Sequence, residues 1–297
     1  NKDKIVAKGG ALFMIDLKHE VQKRGFTVAH IKTDSIKIPN ATKEIIDFVM
    51  DFGKKYGYTF EHEATYDRMC LVNDAVYICR YDDGHWDATG TQFAVPYVFK
   101  TLFSKEKIEF NDLCETKSVT SALYLDMNEH LPDVSDAEKD LAKIETKFKK
   151  GEIDEAEYNT RKEEYGLIIA TGHDYKFIGK VGAFCPIKPG CGGGLLVREK
   201  DGKYYSATGA KGYRWLESET VKLLNKQKDI DRSYYDSLVD GAIETIGKYG
   251  DFEQFVADEP YGPIAGIDFP PDEDPPWYSP EELQAMASEH DDAFRKR

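Results

Sequence analysis

A chain of 297 residues with 41% hydrophobic side chains can bury one large core or two ordinary ones. No run approaches the roughly eighteen apolar residues of a membrane span, and Asn1-Lys2-Asp3-Lys4 lacks a signal-peptide core, so a cytoplasmic protein with no membrane partner is expected. The formal charge of −14 does not exclude a nucleic-acid partner: residues 251–297 carry 13 acidic and 3 basic side chains against 18 and 17 in residues 1–117, which confines most of the excess to a tail.

Between Gly10 and Arg24, Phe13, Met14, Leu17 and Val21 recur on one face of an amphipathic helix, and Gly25 supplies its stop. The period then changes. Phe26-Thr-Val-Ala-His-Ile31 and Ile36-Lys-Ile38 read as two short strands joined by the polar turn Lys32-Thr-Asp-Ser35. Asn40 or Thr42 caps a second helix with Ile45, Val49, Phe52 and Tyr56 on its apolar face and Gly57 after it. Residues 58–63 and 68–81 read as strands, and Asp82-Asp83-Gly84 as a turn into another at 85–91. Helix, strand, strand, helix, strand suits an α+β layer in which two helices cover one face of an antiparallel sheet.

Beyond residue 92 the pattern becomes more helical and more charged. Ser135-Asp-Ala-Glu138 reads as a capping box opening one arm of an αα-hairpin, with Asp154 to Tyr165 as the other. Asp201-Gly202 marks a β-hairpin, and Tyr235, Val239, Ala242 and Ile246 mark a last helix. Pro270-Pro-Asp-Glu-Asp-Pro-Pro276 has the composition of a linker. The five cysteines, odd in number and without a C-x-x-C pair, read as buried free thiols rather than a zinc site. Gly190 and Gly192-Gly-Gly194 lack the Lys-Ser or Lys-Thr of a phosphate loop and read as an ordinary loop. Lys211-Gly-Tyr-Arg-Trp215 suits either a half-buried strand or a single-strand contact.

The block from Lys8-Gly-Gly-Ala through Val28-Ala-His-Ile-Lys-Thr-Asp-Ser-Ile-Lys-Ile38 resembles motif C of phage-type family B DNA polymerases, in which apolar residues flank Y-G-D-T-D-S. Downstream, Glu61 to Tyr77 resembles the strand leading to that family's K-x-Y element, and Thr89-Gly90 stands where Lys-Gly is frequent. Segments 97–103, 179–186 and 209–216 are similar to the family's C-terminal region. The resemblance implies a partial ferredoxin-like palm over residues 1–117, a mixed, largely helical thumb-like region with a β-hairpin over 118–258, and an acidic, Pro-rich tail with a short terminal helix over 259–297.

In such a site two Mg²⁺ ions lie between the primer 3′-OH and the incoming dNTP, and a few rigid carboxylates suffice to hold them. The resemblance makes Asp34 the catalytic metal ligand, with Lys32, Thr33, Ser35, Tyr77 and Arg80 as contacts to primer–template DNA. Two residues depart from the pattern: Lys32 replaces the first acid of D-T-D-S, and Ala75 stands where K-x-Y has its Lys. The chain also lacks an initiator Met and enters a patterned helix almost at once. It is therefore expected to be the C-terminal part of a DNA-directed DNA polymerase, acting in a bacterial host cytoplasm if phage-encoded and inactive without the second Asp supplied upstream. The alternatives are a polymerase-derived DNA-binding or assembly module with a degenerate site and an unrelated α+β binding domain.

Overall fold

A computed structural model describes residues 5–258, apart from the side chains of Ile5 and Val6. The Pro-rich linker and terminal helix expected in the tail lie outside the described residues. The fold is α+β, as expected. It divides into two compact units, the first holding residues up to Thr89 and those from Glu253, the second running from Gly90 to Phe252. The boundary expected at residue 117 therefore lies inside the second unit.

In the first unit, α1 (Ile5–Lys23) leads to a hairpin of β1 (His30–Ile31) and β2 (Ile36–Lys37), followed by α2 (Lys43–Lys55). Phe13, Met14, Leu17 and Val21 of α1 are buried against Ile45, Val49 and Phe52 of α2, with Val28, Ile31, Ile36 and Ile38 of the hairpin packed on the same cluster. Fully burying one such side chain contributes about 1.5–3 kcal/mol, so the apolar stripes, rather than the two-residue strands, hold this layer. The Thr42 hydroxyl accepts the Ile45 N–H and caps α2. Gly25 and Gly57 follow the helices at φ 83° and 81°, a backbone other residues rarely adopt.

The segment 58–63, read from sequence as a strand, joins no sheet. Phe60 packs 5.9 Å from the Phe13 ring, close enough to Gly53 that a β-carbon there would stand 2.6 Å from it. The run expected as one strand over 68–81 is a hairpin of β3 (Tyr66–Asn73) and β4 (Val76–Tyr81), turned where the Asn73 side chain accepts the Ala75 N–H. With β5 (Trp86–Thr89) these form a three-stranded antiparallel sheet, separate in its backbone pairing from β1–β2.

The second unit opens with α3 (Pro96–Phe99), a π-helical turn and a 3₁₀ turn at Phe110–Leu113. It continues through β6 (Glu115–Asp126), α4 (Ser135–Lys149), α5 (Glu155–Ala170), β7 (Tyr175–Ile187), β8 (Leu195–Lys200), β9 (Lys203–Ser206), β10 (Arg214–Glu217), α6 (Ser218–Leu223) and α7 (Arg232–Gly247). Its centre is an antiparallel sheet in the order β10-β7-β6-β8-β9, more extensive than the single hairpin read from sequence. Leu123, Leu125, Phe184, Ile187, Leu196 and Trp215 face a core completed by Val221 of α6 and Tyr235 of α7. The Asp201-Gly202 turn has φ of 55° and 74°, the doubly left-handed form that matches strand twist.

The αα-hairpin is present, but α4 starts differently from the expected capping box. Asp133, not Ser135, accepts the first backbone donor, from Ser135 N–H at 2.9 Å. Glu138 is thereby released to meet His173 Nε2 at 3.3 Å, while His173 Nδ1 pairs with buried Asp126.

Candidate functional site

The turn between β1 and β2 is built as its sequence requires. Backbone pairing of His30 with Lys37 and Ile31 with Ile36 places Lys32 and Ser35 at the hairpin's mouth, and the Lys32 N–H donates to the Ser35 carbonyl at 2.8 Å. Thr33 and Asp34 form the tip. Lys32, Thr33 and Asp34 are exposed and Ser35 is half-buried. The apolar flanks anchor the hairpin on the helices, so the tip is short and its carboxylate is presented outward from a packed base.

One neighbour of the turn is fixed by an interaction that sequence gave no reason to expect. His30, buried in β1, has Nε2 3.0 Å from Oδ1 of Asp74, in the β3–β4 turn. Its Nδ1 is buried without a partner. The contact joins the two hairpins across 44 residues of sequence.

Strand alternation decides which of the expected DNA contacts stand together. Tyr77, Cys79 and Tyr81 share one face of β4, and Ile78 and Arg80 share the other. On the Tyr77 face, Lys37 Nζ lies 5.8 Å from the Tyr77 ring centroid and 5.9 Å from that of Tyr66, within cation–π range of both. Tyr66 packs on Tyr81, which stacks on His85 at 3.8 Å. Burial pushes the Tyr66 and Tyr81 phenols up, so they remain neutral hydrogen-bonding groups.

Arg80 is not brought beside Tyr77. Its Nη1 lies 3.2 Å from Asp67 Oδ2, and its Nε donates to the Gly84 carbonyl at 3.3 Å. Asp67 also holds Arg68 through both carboxylate oxygens, at 2.8 and 3.1 Å. The Arg68 side chain, 2% exposed, donates from Nη1 to the carbonyls of Phe255 and Ala257 at 2.9 and 2.8 Å, at the C-terminal end of α8 (Phe252–Val256). The Phe255 ring lies against Trp86 of the same face. That face of the sheet is therefore covered, and the cation beside Tyr77 is Lys37, a residue that pattern reading passed over as an ordinary strand position.

Asp34 offers a hard oxygen donor at an exposed tip, which suits Mg²⁺ as one ligand of several. Among the described residues no group of three or more His, Cys, Asp or Glu could hold a metal ion, so the remaining donors would have to come from elsewhere.

Two other candidates resolve into structure. The Gly190 and Gly192 N–H groups donate to Oε1 and Oε2 of Glu129 at 2.6 and 2.8 Å, so the glycine loop is filled by the protein's own carboxylate. In the Lys211–Trp215 segment only Arg214 and Trp215 enter a strand, β10: Trp215 is fully buried and Arg214 donates to the Gly193 carbonyl at 2.7 Å, while Lys211 lies exposed in the preceding turn. No helix among the described residues is long and apolar enough to cross a membrane. Comparison of the chain with known protein families and with curated proteins finds no match.

Proposed function

We propose that this chain is the C-terminal part of a template-directed DNA polymerase of the phage family B type, with Asp34 as the motif C carboxylate. The observation that carries the reading is the exposed Asp34 at the tip of a hairpin whose second strand sets Lys37 beside Tyr77. The carboxylate is the group that would hold Mg²⁺, which in this chemistry activates the primer 3′-OH and neutralises charge developing on the dNTP phosphates. Thr33 and Ser35 flank it with hydroxyls that can hydrogen-bond a phosphate or sugar. Lys37 and Tyr77 together offer a cation and a phenol to the primer backbone, in place of the Lys that Ala75 lacks. Lys32 sits at the base of the turn with a side chain long enough to meet phosphate.

Primer–template binding by the 297-residue chain, titrated against NaCl, tests the DNA half of this proposal. Binding should weaken with salt, and Lys37→Gln should lower the slope of log K against log salt by about 0.9, the value of one phosphate contact. Binding that is indifferent to salt would sink it. The isolated chain should not extend a primer, because a second acid is needed beside Asp34. One observation favours a second reading, a polymerase-derived DNA-binding module without chemistry: Lys32 places an ammonium beside the only motif C acid. Primer extension by the protein from its complete reading frame separates the two.

A further inference from the structure

We propose that Cys114 and Cys185 are a modification site, two thiols that close reversibly into an intramolecular disulfide when a small-molecule disulfide is the oxidant. Their Sγ atoms stand 3.4 Å apart. The β6–β7 register sets Glu115 opposite Phe184 and Thr116 opposite Ala183, so its extension by one residue sets Cys114 opposite Cys185. A disulfide requires about 2.05 Å, so the sulfurs need to approach by little more than an ångström. The movement falls on the short 3₁₀ turn before Cys114 rather than on a sheet centre; there the Cys114 thiol donates to the Phe110 carbonyl at 3.3 Å and the Cys114 N–H to the Asn111 carbonyl at 3.2 Å.

The two thiols have different roles. Cys114 is half-buried and reachable, whereas Cys185 is fully buried. The hydrogen bond from Cys185, helped by the Lys222 ammonium, holds the Cys114 thiol below its ordinary range. That same hydrogen bond, with burial, pushes Cys185 up. Cys114 is therefore the attacking thiolate and Cys185 the resolving group. The Cys114 thiolate attacks one sulfur of the small disulfide, breaking its S–S bond, releasing one thiolate and leaving a mixed disulfide on Cys114. Cys185 attacks Cys114 Sγ and expels the second small thiolate, which takes up the proton that Cys185 loses. Two protein thiols are oxidised and one small disulfide is reduced to two thiols, which take up the protons.

Cys70 and Cys79 lack this geometry. Cys70 pairs with Ile78 and Cys79 with Met69, which puts the two thiols on opposite faces of their sheet.

The full chain, reduced and then incubated with glutathione disulfide at pH 8, should fall from five free thiols to three under denaturing alkylation. Dithiothreitol should restore five. Tryptic peptide 108–117 should be joined to peptide 181–198, and because the latter contains both Cys185 and Cys191 the same map is made on Cys191→Ser, which should keep the link. Cys114→Ser and Cys185→Ser should each abolish it. Five thiols remaining, a glutathione adduct persisting on Cys114, or loss of the link in Cys191→Ser would each overturn the proposal.

Discussion

The two units bury apolar surface by different routes. The first relies on two amphipathic helices whose stripes meet over a minimal hairpin, with seven buried side chains in that cluster among the described residues. The second gathers sixteen into one cluster built on a five-stranded sheet. The smaller unit adds a polar anchor of high individual consequence, the buried Arg68. The larger can tolerate a filled glycine loop and exposed helices such as α5, which buries none of its residues. A short presented turn belongs on the first kind of scaffold, where packing beneath the strands rather than strand length fixes the tip.

The contrast breaks most visibly at Arg68 and Trp215. Removing the guanidinium as Arg68→Ala strips donors from the carbonyls at the end of α8 and takes one of two arginines from Asp67, a loss of about 3–5 kcal/mol at about 1–3 for each acceptor left unmet. Trp215→Ala, which empties a fully buried site and frees the Ala210 carbonyl, should cost a similar 3–5 kcal/mol. Hydrogen exchange resolved by segment should show Arg68→Ala loosening β3 and α8 and Trp215→Ala loosening β6, β7 and β10. Equal loosening of both units by either change would mean that they do not unfold as separate bodies.

Thiol chemistry sharpens the same comparison. Burial pushes the first unit's Cys70 up to about 11 and Cys79 up to about 12, while Cys114 in the second unit is held below the ordinary range. Only the thiolate alkylates, so at pH 8 Cys114 should react with iodoacetamide ahead of Cys70 and Cys79. Raising the pH towards 11 should narrow the gap. Site-resolved mass spectrometry reads the order, and early modification of Cys79 would contradict it. The smallest effect belongs to His30→Ala, about 1–2 kcal/mol in urea unfolding, because its partner Asp74 is largely in water.

Legibility in the sequence followed the range of the forces involved. Both helices of the first unit, the Lys32–Ser35 turn and the Asp201-Gly202 hairpin were readable because periodicity, caps and turn residues act over a few positions. β6 was not: Thr116, Ser118 and Thr120 alternate with little apolar content, and its partners, β7 and β8, lie about 50 to 80 residues on. The Asn73 turn was missed because Asn-Asp-Ala carries no glycine, although its Asx hydrogen bond was available to inspection. Asp34 was singled out by local resemblance alone, whereas His30–Asp74 and Lys37–Tyr77 pair residues about 40 positions apart, for which a single sequence carries no signal.

Primer extension by the protein expressed from its complete reading frame, wild type against Asp34→Asn, bears most directly on the role given to the turn. Loss of one metal-holding carboxylate removes several kcal/mol of transition-state stabilisation. Extension should therefore fall by about 10³-fold or more, with primer–template affinity at fixed salt unchanged. Extension retained by Asp34→Asn, or absent from the wild type while DNA is still bound, would contradict a catalytic Asp34.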